Sequence, residues 1–228
     1  MVGENRTGAV LAVCGRYSLT TRLDQLLLRL PGELPPGLLE HYAPRPLIAP
    51  GEPVLALRQE HGRLQPALML WGLLPEWSKD PLASPRPFNA RSETVAEKAS
   101  FRGAWRHRRC LLPADAFFEK GHRIHRRDGE PFWLAGIWDR WIGPDGSELE
   151  SCCVLTTAPN PLVAPLHNRM PVILPDGLEQ AWLETKDGPG LRALEPLLQG
   201  WDPGGWQVDP KPGATAGAAG ARQLPLFP

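Results

Sequence analysis

Proline recurs along the whole of this chain, 27 times in 228 residues, about twice its usual ~5% share. Each proline fixes its own φ and withdraws a backbone donor, so long uninterrupted helices are excluded and the fold must be assembled from short elements. Between the prolines lie short runs rich in β-branched, aromatic or alternating apolar residues, closed by Gly, Pro or Asp. They predict strands at 53–57, 65–70, 109–113, 117–120, 131–138, 151–157 and 170–174. Helical spacing is confined to 21–29 behind a threonine, 93–99 behind Ser92, 178–183 and 191–198. The chain has no βαβ rhythm and no glycine-rich phosphate fingerprint, so a nucleotide cofactor is not expected. The expected fold class is α+β, a single domain of mostly short antiparallel strands with a few short helices.

Lys+Arg and Asp+Glu both total 25, so no global field draws this protein to an acidic partner. The distribution is uneven: 102–127 carries eight basic residues against Asp115 and Glu119. Such a segment can hold a phosphate backbone or form a solvated arginine-rich face. No apolar run approaches the ~18 residues of a membrane span. Four cysteines (Cys14, Cys110, Cys152, Cys153) show neither C-x-x-C nor paired spacing with histidine, which argues against a zinc site and for a reducing, cytoplasmic setting. The apolar run at 8–13 is too short for a signal-peptide core.

Four segments gather reactive groups within apolar surroundings: Cys14-Gly15-Arg16-Tyr17, Phe88-Asn89-Ala90-Arg91-Ser92-Glu93, Ala114-Asp115-Ala116-Phe117-Phe118-Glu119 and Leu166-His167-Asn168-Arg169-Met170-Pro171. A thiol, an amide, a carboxylate, an imidazole and three guanidiniums make the inventory of a covalent catalyst with phosphate clamps. Singly, each has a plain structural reading: Cys14 as packing, His167 as a loop cap. Glu119 follows two phenylalanines, where a carboxylate needs a partner or a raised pKa.

Together these segments resemble the SRAP family, the SOS response-associated peptidases understood as abasic-site processing proteins. The resemblance runs from Cys14 to about Leu183 and includes, in order, the Cys-Gly-Arg start, Ala49-Pro50-Gly51, Trp71-Gly72, Pro75-Glu76-Trp77, Asn89-Ala90-Arg91-Ser92-Glu93, the aromatic-Glu119 strand and His167-Asn168-Arg169-Met170-Pro171. It implies a cysteine that becomes N-terminal and captures the ring-opened aldehyde of an abasic site in single-stranded DNA. The 1,2-related amine and thiol of Cys14 would form a Schiff base and then close a five-membered thiazolidine on the same carbon. Unperturbed, an α-amine titrates near ~7.7–8.0 and a thiol near ~8.5, so both are partly nucleophilic at neutral pH.

By the same resemblance Asn89 would orient the opened sugar, while Glu119 and His167 would move protons at the amine and at the sugar oxygen. Arg16, Arg91 and Arg169 would clamp phosphates, and Trp77 would stack on the kinked strand. Ser78, Leu47 and Lys120 depart from the family's pattern and bear on DNA stacking rather than on the nucleophile. No metal or other cofactor is implied, and the protein is expected to act as a monomer.

Residues 1–13 precede Cys14 and would mask its amine. Either they are cut away, autocatalytically by the protein's own peptidase activity, or translation starts at Val13, read as methionine from a GTG codon; Arg-rich, Ala-, Gly- and Pro-rich composition fits a GC-rich genome. The expected organisation is a leader at 1–13, a catalytic domain at 14–208, a flexible linker at 209–222 and a terminal peptide at 223–228. Gln223, Leu224, Leu226 and Phe227 are similar to the Gln-Leu-x-Leu-Phe peptide with which bacterial replication and repair proteins dock on the sliding clamp. Two rival readings remain: a cysteine peptidase or amidase using Cys14 and His167, with Asn89 or Glu119 as orienter, and a non-catalytic single-stranded DNA binder.

Overall fold

The computed structural model describes residues 14–27, 29, 42–185 and 188–211. Its strands run β1 (Tyr17–Leu19), β2 (Arg45–Ile48), β3 (Pro53–Glu60), β4 (Arg63–Trp71), β5 (Asn89–Arg91), β6 (Arg109–Ala114), β7 (Ala116–Glu119), β8 (His122–Arg126), β9 (Phe132–Ile142), β10 (Glu148–Thr157), β11 (Met170–Pro171), β12 (Ile173–Leu174) and β13 (Trp206–Asp209). The described helices are short: α1 (Leu23–Leu27), α2 (Arg102–His107), α3 (Glu179–Glu184) and α4 (Gly188–Ala193). The α+β class expected from the proline spacing is therefore the one observed.

One sheet has the order β13-β8-β7-β1-β2. The other runs β11-β10-β4-β3-β6-β9-β12, and β10 also pairs with β9, which closes β10, β4, β3, β6 and β9 into a barrel. Most pairings are antiparallel, but β10 runs parallel to both β4 and β5. Closure demands a close approach at Gly136, where β9 faces Cys110 on β6 and Val154 on β10. A Cβ there would lie 2.5 Å from Leu112 Cδ1 and 2.9 Å from Cys110 Sγ, so only glycine fits between the strands.

Two tight hairpins set the register of the strands that matter. β3 and β4 turn at His61-Gly62 and β7 and β8 at Lys120-Gly121, with positive φ at both residues of each turn. This is the turn geometry whose twist matches the flanking strands. It places Glu119 at the last paired position of β7, opposite His122. Lys120 occupies a left-handed position of that turn at φ 49°.

The helix expected at 93–99 is instead a single 3-10 turn, Ser92–Thr94, followed by irregular turns. Ser92 is the first residue of the turn rather than its cap, and the capping position falls to Arg91, which makes no side-chain cap bond. The strand expected at 170–174 is split: Val172 bonds to both β10 and β9 and separates β11 from β12. β13 follows Trp201 and pairs with β8, so ordered pairing reaches Asp209.

Candidate active site

β1 is held between β2 and β7, and the chain enters it through Cys14-Gly15-Arg16. Phe118 N donates to Arg16 O at 2.9 Å, which extends the β1–β7 ladder toward Cys14 and draws Glu119 onto it. Glu119 Oε1 accepts from Cys14 N at 2.6 Å. The two residues are 5% and 3% exposed. Cys14 sits in the left-handed region at φ 44°, a conformation that costs a non-glycine residue roughly 1–2 kcal/mol.

Burial, more than any neighbour, pushes the Cys14 thiol well above its ordinary range. The Glu119 charge and its hydrogen bond to the thiol push the same way, while the Arg169 guanidinium opposes them. The unperturbed thiol value therefore does not describe this site, where the surroundings favour the neutral thiol. Glu119 thus bonds to the Cys14 nitrogen and acts on the charge of its sulfur.

A second group of candidate residues sits at the C-terminal end of β10. There β5 and β11 both pair with the same stretch: Thr156 faces Arg91 on β5 and Pro171 on β11. Asn89, half-buried, lies opposite Val154 on that strand. Its height is fixed from below by Trp71, whose indole N–H donates to Phe88 O at 2.9 Å. Trp71 also packs edge-on against Tyr17, with ring centroids 5.2 Å apart, and so ties Asn89's strand to Cys14's. Tyr17, which ends the Cys14-Gly15-Arg16-Tyr17 segment, and Trp71, visible in the sequence only as half of a Trp-Gly pair, thus join the two strands, a contact that sequence spacing does not show.

His167 closes a loop whose turns are held by Asn160, which accepts from Leu162 N at 3.1 Å and Val163 N at 3.0 Å. Arg169 N donates to His167 Nδ1 at 3.1 Å. A backbone N–H can only donate, so Nδ1 is the acceptor and the ring proton lies on Nε2. Arg169 itself is only 13% exposed. Its guanidinium grips both carboxylate oxygens of Glu93 and donates to Thr156 O.

Arg16 and Arg91 are exposed, as a phosphate clamp requires. Trp77 does not join the group around Cys14. It is 61% exposed and borders an open cleft of about 480 Å³ with Ser100, Arg102, Arg106 and His107. Among the described residues the Arg102 and Arg106 guanidiniums have no hydrogen-bond or ion-pair partner. The remaining arginines of the basic segment are engaged within the fold. Arg108 pairs with Glu76 and Asp139, Arg123 with Asp209, and Arg126 with Asp128 and Asp176. Arg109 is buried against Trp182 O and Trp105 O, and burial lowers its guanidinium to about 10.

Among the described residues no cluster of His, Cys, Asp and Glu could hold a metal ion, and no helix is long and apolar enough to cross a membrane. The leader at 1–13 and the peptide Gln223, Leu224, Leu226 and Phe227 lie outside the described residues.

The family described as SOS response associated peptidase (SRAP) matches residues 13–209, a span that begins one residue before Cys14. The chain is 35% identical over 202 residues to the abasic site processing protein YoqW of Bacillus subtilis (strain 168), covering 83% of this chain and 88% of that one. It is 31% identical over 189 residues to the abasic site processing protein YedK of Escherichia coli (strain K12), covering 76% and 81%. Among solved structures, a protein from Bacteroides thetaiotaomicron superposes with a TM-score of 0.74 at 23% identity, over 86% of this chain and 90% of that chain.

Proposed function

The chain belongs to the SOS response associated peptidase (SRAP) family, and from that premise we propose that it processes abasic sites, joining Cys14 covalently to the ring-opened sugar in single-stranded DNA. The observation that carries this reading is the Glu119 carboxylate 2.6 Å from Cys14 N. In the full chain that nitrogen belongs to a peptide bond. Once residues 1–13 are absent it is an α-amine, and a carboxylate at that distance is placed to take its proton.

The amine adds to the C1′ aldehyde, Glu119 returns the proton it took to the departing carbinolamine oxygen, and loss of one water leaves an iminium with Glu119 again a base. The thiol sulfur then adds to the same carbon, its proton passing to Glu119, and closes the five-membered thiazolidine. His167, with its proton on Nε2, donates at the sugar oxygen as the ring opens. Asn89 holds the opened sugar from the β5 side. The left-handed backbone at Cys14 supports removal of the leader, since φ ceases to be constrained when no peptide precedes the residue.

The charged groups acting on this sulfur are Glu119 and Arg169, and Glu119 also accepts from the Cys14 nitrogen. That favours amine-and-thiol chemistry over peptide hydrolysis. Protein beginning at Cys14 should give a denaturation-resistant adduct on a gel with an abasic oligonucleotide and none with the intact one. An adduct of equal yield on both would exclude abasic-site capture.

The DNA path we infer runs from Arg16 and Arg91 at the site to the Trp77 cleft, with Arg102 and Arg106 as further phosphate contacts. Four neutralised phosphates on a single strand correspond to a log affinity against log salt slope of roughly −3. Titration of an intact single-stranded oligonucleotide at several salt concentrations reads it. A flat response would remove the phosphate assignments.

A further inference from the structure

His167 sits in the connection between β10, which ends at Thr157, and β11, which begins at Met170. Both ends of that connection are fastened to one residue distant in sequence, Trp201. At the start, Asn160 Nδ2 donates to Trp201 O at 3.1 Å. At the finish, the Trp201 indole N–H donates to Pro171 O at 3.3 Å. A Cβ added to Gly200 would lie 3.0 Å from Met170 Cε and 3.9 Å from Asn160 Cβ, so this part of the chain is seated against both ends of the loop. The Trp201 ring also meets Phe117 edge-on, with centroids 6.3 Å apart, and Phe117 lies on β7, the strand that ends at Glu119.

We propose that Trp201 and Asn160 are positioning residues for His167: Trp201 fastens both ends of the loop that carries the imidazole and seats that loop against the strand that carries Glu119, while Asn160 passes the hold to the turn beneath His167. The inference rests on the reading of His167 as proton donor at the sugar oxygen.

Asn160 is buried, and both ends of its amide are engaged. Oδ1 faces two backbone N–H groups, those of Leu162 and Val163, so it accepts; Nδ2 faces a carbonyl, so it donates. Val163 O in turn accepts from His167 N at 3.0 Å. Successive hydrogen bonds therefore run from Trp201 through Asn160 and Val163 to His167. Displacing the loop would leave a buried amide without a partner, which costs more than an ordinary hydrogen bond contributes. At the other end of the loop, Asn160 N donates to the Met170 sulfur at 3.3 Å, so start and finish also hold each other.

Two variants cut the two bonds separately. Asn160→Asp keeps the acceptor for the turn but puts an oxygen where Trp201 O needs a donor, and Trp201→Phe keeps a ring against Phe117 but loses the bond to Pro171. The first readout is the nitrogen NMR spectrum of the His167 ring in the full chain at alkaline pH. In the parent, Nδ1 accepts from Arg169 N, so one tautomer and two widely separated ring resonances are expected; in either variant the tautomers should mix and the resonances draw together. The second readout is the cross-linking rate of protein from the native gene on two oligonucleotides, one with an abasic sugar and one with an acyclic aldehyde that has no ring to open. Each variant should be slower by on the order of tenfold or more on the sugar and close to the parent on the acyclic aldehyde. Equal slowing on both would overturn the proposal, because the defect would then be general. Unchanged His167 resonances in both variants would overturn it as well. If the parent forms no adduct with either oligonucleotide, the abasic-site reading fails and the resonances alone decide.

Discussion

Cys14→Ser should abolish the denaturation-resistant adduct, a fall on the order of a thousandfold or more in its yield, while leaving the protein folded. Serine keeps the α-amine and nearly the same volume in a site only 5% exposed, so neither packing nor the bond from the Cys14 nitrogen to Glu119 need change. What disappears is the sulfur nucleophile. The variant should still form an imine with the aldehyde, trappable by borohydride but lost on denaturation without it. This split separates amine from thiol: if both products vanish the defect is in folding or DNA binding, and if the stable adduct persists the ring does not need sulfur.

Glu119→Gln should slow adduct formation by about a hundredfold or more. Glutamine retains an acceptor for the Cys14 nitrogen but cannot take a proton from it. The substitution also removes the charge that pushes the thiol upward, so Cys14 should ionise at lower pH than in the parent. The two effects oppose each other in rate but not in readout. Cross-linking would be slow at every pH while direct alkylation of the thiol quickens near neutrality. A purely structural Glu119 would give wild-type cross-linking, since glutamine preserves the hydrogen bond; single-turnover gels across a pH series distinguish the cases.

The long barrel strands were legible because their information is local. β3, β4, β6, β9 and β10 are apolar runs closed by breakers, and the observed strands extend the expected ones by a few residues at most. β5 was illegible for the opposite reason. Asn89-Ala90-Arg91 has no strand pattern of its own; it is extended because β10 offers an open edge beside Val154–Thr156. The helix expected at 93–99 failed on the same ground, since the chain leaving β5 must turn back over β10 and spends Ser92 within that turn.

For the site, residue types were readable and their pairings were not. Cys14 and Glu119 stand 105 positions apart and meet only because β1 pairs with β7. Glu93 and Arg169, 76 apart, meet because two strands share one end of β10. A sequence containing the Asn-Ala-Arg-Ser-Glu run shows the glutamate but gives no reason to join it to an arginine near β11. The basic segment at 102–127 misled for a related reason: charge alone does not show that Arg108, Arg123 and Arg126 find carboxylates within the fold.

The measurement closest to the heart of the mechanism is the intact mass and N-terminal peptide of the cross-linked product, made with protein from the native gene. The expected species is the chain from Cys14 plus the abasic oligonucleotide, less one water, with the DNA remnant on the peptide that begins at Cys14. A stable product that retains Met1, or a remnant attached to any other residue, would contradict capture by the amine and thiol of Cys14.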